Sequence, residues 1–216
     1  MSKFVYKECN PLKFSTVVLM TYSAVIGFIH GIGEILQAES NPNSYFIHAL
    51  DVSDPDIIWH AGLPAFSVIP NFLFSGIITV LISIVIVVFA NLLIESNYFK
   101  FSPLLFILLF LFGGGFVPPL IGIISSTYYV TKRKSKMNNK QPSLLRSLIA
   151  KSWIYLISVL ILWFPSSWII GWIFPAFRLQ ISSVTFITFD IILPILILLA
   201  ANFKYSIADK NEHIQF

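Results

Sequence analysis

One carboxylate lies where a long apolar sequence makes charge costly. Asp190 is near the middle of the apolar stretch 184–203, and a carboxylate at mid-bilayer depth is strongly unfavourable. Pro194 follows four residues later and has no N–H to donate to the carbonyl of residue 190. A carboxyl group beside a freed carbonyl suits a monovalent cation or a proton relay. The alternative is a protonated Asp190 that is hydrogen-bonded to a neighbouring helix.

A second group that could carry out chemistry is the pair His30 and Glu34. Their i, i+4 spacing places both side chains on one face, near the end of the apolar stretch 14–36. Such a pair can ligate a metal or pass a proton, and His48 and His60 in the following segment are further candidate ligands. Because no tight spacing such as His-Glu-x-x-His occurs, a partly hydrated ion pair at the membrane surface is the simpler alternative.

The sequence has no motif for nucleotide-dependent chemistry or for a serine nucleophile. The sequence has no P-loop, no Gly-x-Ser-x-Gly elbow and no dinucleotide fingerprint, so we predict no catalytic residue and no cofactor. Its single cysteine, Cys9, excludes a disulfide within the chain and a cysteine-based metal site.

The elements that position these residues are helices in a membrane. Of the 216 residues 56% are hydrophobic and only 11% are charged, too few charges for a water-soluble surface. Four stretches can span about 30 Å of hydrocarbon: 14–36, 69–94, 152–174 and 184–203. The segment 37–68 is then an extracytoplasmic loop and 131–151 a basic cytoplasmic loop. We predict an all-α membrane protein with one domain, residues 1–216.

A fifth apolar stretch, 104–130, is interrupted by Gly113, Gly114, Gly115, Pro118 and Pro119. These residues break the helix into two arms of about 15 to 20 Å each, the size of a re-entrant hairpin. The free amides of the second arm would then point into the membrane, as in broken helices of transporters. The alternative is a kinked helix that crosses the membrane, giving five transmembrane helices.

The distribution of basic residues favours the hairpin. Half of the fourteen Lys and Arg residues lie between Lys132 and Lys151. With a hairpin, thirteen basic residues are cytoplasmic and one is outside, whereas five crossings give nine and five. We therefore predict a multi-pass protein of the plasma membrane with cytoplasmic N- and C-termini. Its basic loop would bind anionic lipid, and no nucleic-acid partner is expected.

Three segments, 31–37, 69–73 and 113–123, carry a resemblance. They resemble a group of uncharacterised prokaryotic membrane proteins. The segments read Gly-Ile-Gly-Glu-Ile-Leu-Gln, Ile-Pro-Asn-Phe-Leu and Gly-Gly-Gly-Phe-x-Pro-Pro-Leu-x-Gly-Ile, the last of which contains the break. The resemblance covers about the first 125 residues. It implies a shared architecture and no particular activity.

Three functions are compatible with this sequence. The leading hypothesis is translocation of an ion or small solute along a path lined by Asp190, the glycine and proline break, His30 and Glu34. The first alternative is an assembly subunit, which docks with copies of itself or with other membrane proteins through stripes of small residues such as Ser23, Gly27 and Gly31. The second is a membrane-embedded, metal-dependent hydrolase that uses the histidines on the outer side.

Overall fold

The computed structural model describes residues 10–38, 44–47, 65–133 and 143–214. Four long apolar helical stretches in these residues, Pro11–Leu36, Phe72–Leu92, Leu144–Ile173 and Phe186–Ile207, can cross a membrane, which confirms the all-α membrane fold. The helices are α1 (Pro11–Leu36), α2 (Phe72–Leu92), α3 (Ser102–Leu111), α4 (Val117–Arg133), α5 (Leu144–Ile173), α6 (Pro175–Gln180), α7 (Ser182–Thr185) and α8 (Leu193–Ile214). A 3-10 turn, Asn97–Phe101, precedes α3, and a π-helical segment, Phe186–Ile192, joins α7 to α8.

Helices α3 and α4 form a hairpin that enters and leaves the bundle at the same end. At its open end, Arg133 Nη1 donates to the carbonyl oxygens of Ile94 and Ser96, both at 3.3 Å. At its tip, the Val68 N–H donates to the carbonyl oxygen of Leu111 at 2.9 Å. Because Ile94 and Val68 flank opposite ends of α2, the hairpin returns instead of crossing. The alternative of five transmembrane helices is therefore wrong.

The two ends of the bundle are named after residues that lie there. The end with the Lys13–Glu95 ion pair is the Lys13 end, and the opposite end is the Glu34 end.

The hairpin is longer than the sequence suggested. Helix α4 alone has 17 residues, which is about 25 Å at 1.5 Å per residue. The expected arm of 15 to 20 Å is too short for α4, because Lys132 and Arg133 extend its last turn, where basic side chains suit the helix dipole.

Polar caps place the helix starts where hydropathy alone did not. Asn10, Asn71 and Ser143 each accept a backbone N–H through a side-chain oxygen, at the starts of α1, α2 and α5. Helix α1 therefore begins three residues before the stretch 14–36, and α2 begins three residues into 69–94. Helix α5 begins eight residues before 152–174, so the segment 131–151, predicted to be a loop, is helical at both ends.

Helices α1 and α2 cross with their backbones in contact near the Glu34 end. A Cβ built on Gly76 would lie 2.5 Å from the carbonyl oxygen of Gly31, and one on Gly31 would lie 2.9 Å from that of Gly76. Only glycine fits at both positions, and this close approach fixes α2 beside the last turns of α1.

Two short strands cover the hairpin tip. Strands β1 (Phe46–Ile47) and β2 (Ala65–Phe66) pair antiparallel. Their aromatic rings stack on the hairpin, Phe46 on Phe116 at 6.3 Å and Phe66 on Phe110 at 5.7 Å between centroids. We call these four rings the aromatic cover. Since they lie against the broken segment, part of the predicted outer loop 37–68 closes one side of the region described next.

Candidate functional site at the hairpin tip

Glu34 lies against the glycine break. It is in the last turn of α1, its side chain is fully buried, and a Cβ on Gly113 would overlap its carboxyl group. Gly113 has a φ of 100°, a left-handed conformation that favours glycine. Glycine is therefore required at residue 113 by both the backbone conformation and the space that the carboxyl group occupies.

His30 reaches the same break one turn earlier on α1. A Cβ on Gly115, which has a φ of 78°, would lie 3.2 Å from His30 Nε2. The His30 Nδ1 atom is buried and has no hydrogen-bond partner in the described residues. The i, i+4 spacing thus brings His30 and Glu34 to two glycines of the same turn.

Hydroxyl groups of α2 complete the cluster. Ser75 Oγ donates to the carbonyl oxygen of Phe112 at 2.9 Å, and Thr79 Oγ1 donates to the same carbonyl. Ser67, just before α2, lies 2.7 Å from Ser75 between their hydroxyl oxygens. All three hydroxyl side chains are fully buried. We call His30, Glu34, Ser67, Ser75, Thr79 and the turn 112–115 the tip site.

The Glu34 carboxyl group lacks the partners that burial demands. Ser75 lies beside it, but the Ser75 hydroxyl is oriented towards Phe112 and Ser67. Neither Glu34 oxygen has a hydrogen-bond partner within residues 10–38, 44–47, 65–133 and 143–214. A buried polar group without a partner is unfavourable by about 1 to 3 kcal/mol, and more when it is charged. Such groups in native proteins mark a ligand, water or proton site.

The start of α4 differs from the expectation for a half-helix. Helix α4 begins at Val117, and its next two residues, Pro118 and Pro119, carry no N–H. Fewer free amides are therefore available than the sequence hypothesis assumed. The tip also lies at the Glu34 end of the bundle and not at mid-depth, because α4 is long. Glu34 and His30 are the ionisable side chains of the tip site.

Asp190 lies in a different place. Its Oδ1 accepts a hydrogen bond from the Tyr22 hydroxyl of α1 at 2.6 Å. Tyr22 precedes His30 by eight residues, about 12 Å along the helix. The structure therefore brings His30 and Glu34 to the break but separates Asp190 from them. The structure contains the hydrogen bond to a neighbouring helix that the alternative required, whereas the protonated state that it also assumed stays a prediction.

Arg178 of α6 lies near Asp190 but forms no direct ion pair with it in the described residues. It is close enough for the two charges to interact, and its Nη1 donates to Thr185 Oγ1 at 3.0 Å. Partial burial lowers the pKa of the Arg178 guanidinium, and the Asp190 charge opposes that shift. Trp163 lies under the guanidinium at 5.9 Å from its ring centroid and stacks on Phe189. The Arg178 charge therefore attracts that of Asp190 from a distance, and the Tyr22 hydroxyl is the direct partner of the carboxyl group.

Asp190 also belongs to an unusual stretch of helix. It lies in the π-helical segment Phe186–Ile192, which ends where the Leu193 N–H donates to the Thr188 carbonyl oxygen, five residues back. Pro194 follows directly. The wider turn accommodates a residue that cannot donate its own N–H, so the distortion which the sequence assigned to proline appears as a π turn.

The metal hypothesis stays a prediction. His48 and His60, which it requires, lie outside the described residues. Across the part of the chain that the structure describes, no three His, Cys, Asp or Glu side chains come together in a metal-binding group.

Four contributing residues were missed by the sequence analysis. These are Tyr22, Gly76, Ser67 and Arg178. Arg178 did carry a signal, since it is the basic residue that the predicted topology leaves on the outer side, where Lys and Arg are disfavoured. Tyr22 and Ser67 gave no signal, because their roles depend on which helices pack together.

Comparison of the chain with protein-family models, with curated proteins and with solved structures finds no match.

Proposed function

We propose that this protein binds an ion or small solute at the tip site and moves it across a membrane. The observation that carries the proposal is the Glu34 carboxyl group, which is fully buried and has no hydrogen-bond partner in the described residues. Ionisable residues buried in membrane helices are costly and typically mark ion or proton pathways.

A polar track leads away from the tip site towards the Lys13 end. Ser75, Thr79 and Ser83 follow one another at four-residue intervals on α2, and all three are buried. Ser83 Oγ is a further buried atom that lacks a hydrogen-bond partner among the described residues. It faces Gly27 of α1, where a Cβ would lie 3.1 Å from that oxygen. The interface of α1 and α2 thus offers hydroxyl groups over two helical turns.

The proposal includes an orientation. We place the Lys13 end on the cytoplasmic side, because the hairpin returns there and puts thirteen of the fourteen basic residues on that side. The tip site then lies near the outer face of the membrane. An entering ion would meet the aromatic cover first and Glu34 next.

Reconstitution into lipid vesicles tests this function. The fluxes of H⁺, Na⁺ and K⁺ are measured for the wild type, Glu34→Gln and Glu95→Gln. Glu95 is a matched control, since it is an exposed glutamate paired with Lys13 at the other end of the bundle. We expect one flux above that of protein-free vesicles, its loss in Glu34→Gln and its retention in Glu95→Gln.

Two results would contradict the proposal. One is a wild type that moves none of the three ions faster than empty vesicles. The other is a Glu34→Gln variant that is folded, as judged by its thermal unfolding, and moves the ion at the wild-type rate. An assembly subunit would give the first result.

A further inference from the structure

The hydroxyl groups of the tip site already donate their protons elsewhere. Thr79 donates to the carbonyl oxygen of Phe112. Of the two protons of Ser67 and Ser75, one lies in the 2.7 Å contact between their oxygens, and the other goes to the carbonyl oxygen of Phe112 or of Ile69. An ionised carboxylate can only accept hydrogen bonds, so it gains a donor here only when Ser75 gives up its present acceptor. A neutral carboxylic acid has its own O–H to donate, and the Ser75 oxygen beside Glu34 is a suitable acceptor.

The charges around Glu34 favour the same state. Helix α2 has no titratable residue, and those of the hairpin, Tyr128, Tyr129, Lys132 and Arg133, lie towards its open end. Tyr45, next to strand β1, is titratable too, but its side chain is exposed and packs on Phe66. Among the described residues, His30 is therefore the titratable side chain that lies in the site beside Glu34. No hydrogen bond or ion pair joins the two. A buried carboxylate would thus lack a compensating cation, which is the costly arrangement.

These atoms form a poorer site for a divalent metal cation than for a proton. Hard divalent cations take about six or more oxygen ligands. The Phe112 carbonyl already accepts two hydrogen bonds, and Ser67 and Ser75 contact each other. Within the described part of the site, the two Glu34 oxygens and His30 Nδ1 are the buried side-chain atoms that remain without a hydrogen bond.

We infer that the ligand of the tip site is a proton, which Glu34 holds as a neutral carboxylic acid whose O–H donates to Ser75. Uptake forms the O–H bond of the acid. Release breaks that bond, returns the proton to water or to the imidazole of His30, and lets the Ser75 hydroxyl turn to donate to the carboxylate. The inference rests on the proposed function, since it names the ion that is moved.

Infrared difference spectroscopy during a pH titration of the purified protein in lipid tests the inference. A protonated carboxylic acid has a carbonyl band that an ionised carboxylate lacks. We expect Glu34→Gln to lose one such band and Glu95→Gln to retain it. In Ser75→Ala the band should persist but move to higher wavenumber, because the acid loses its acceptor. Addition of Na⁺ or K⁺ at fixed pH should leave the wild-type band unchanged.

Three results would overturn the inference: a Glu34→Gln spectrum identical to the wild type, an unshifted band in Ser75→Ala, or loss of the wild-type band when Na⁺ or K⁺ is added. The last identifies a cation site, and it needs no variant to fold. A Glu34 band without any ion flux would leave this inference standing and reject the proposed function. Flux of Na⁺ alone would support the proposed function and reject this inference.

Discussion

The carboxyl group of Glu34 occupies the space in which residue 113 would carry its side chain. Gly113 is also left-handed, with a φ of 100°. The two facts link the hairpin break to the ionisable group. Any other residue at 113 would both strain the backbone and displace the carboxyl group.

Gly113→Ala should therefore be more harmful than Gly115→Ala. Both changes place a Cβ on a left-handed residue, which costs about 1 to 3 kcal/mol. Only the first also overlaps Glu34, whereas the second leaves 3.2 Å to His30 Nε2. Thermal unfolding in lipid nanodiscs measures the difference.

Combining Gly113→Ala with Glu34→Ala separates overlap from strain. We expect the double variant to be destabilised by less than the sum of its single variants, because the small side chain at residue 34 makes room for the new Cβ. Additive losses would show that the carboxyl group and residue 113 do not touch.

Asp190→Asn should lower stability instead of acting on flux alone. The substitution removes the charge that attracts Arg178 and turns the charged acceptor of the Tyr22 hydrogen bond into a neutral one, at a cost of about 1 kcal/mol. Adding Arg178→Gln should restore part of the lost stability, since both charges are then gone. Thermal unfolding of the two variants checks this. A folded Asp190→Asn protein with wild-type stability and no flux would instead place Asp190 on the ion pathway, as the sequence hypothesis did.

The hairpin topology can be checked by labelling with a membrane-impermeant thiol reagent after Cys9→Ser. Single cysteines at the exposed residues Lys100 and Thr131 should react from one side of the membrane, and one at Tyr45 from the other. The reason is that both ends of the hairpin lie at the Lys13 end. Reaction at residues 100 and 131 from opposite sides would show that the stretch 104–130 crosses.

The helices and the break were predictable because they depend on local sequence. Apolar length gives the four spans, and the glycines with Pro118 and Pro119 give the break. Helix ends were less predictable, since Asn10 and Ser143 act through single hydrogen bonds that hydropathy does not register. Basic residues made the start of α5 look like loop.

The composition of the tip site was only half predictable. The spacing of His30 and Glu34 marked them as a pair, and the cost of a buried charge marked them as informative. Their position against Gly113 depends on how deep the hairpin reaches, which follows from the length of α4 and the close contact of α1 with Gly76. The same tertiary packing decides that Asp190 meets Tyr22 and Arg178 and not the break.

Solid-state NMR in lipid can measure the contact on which both proposals rest. Gly113 is the one glycine that follows a phenylalanine, so its ¹⁵N signal can be selected through the ¹³C-labelled carbonyl of Phe112. With the side-chain carboxyl carbon of glutamate also labelled, that ¹⁵N signal should show dipolar dephasing in the wild type and in Glu95→Gln, and lose it in Glu34→Gln. A wild-type spectrum without dephasing at Gly113, or dephasing that persists in Glu34→Gln, would contradict the account.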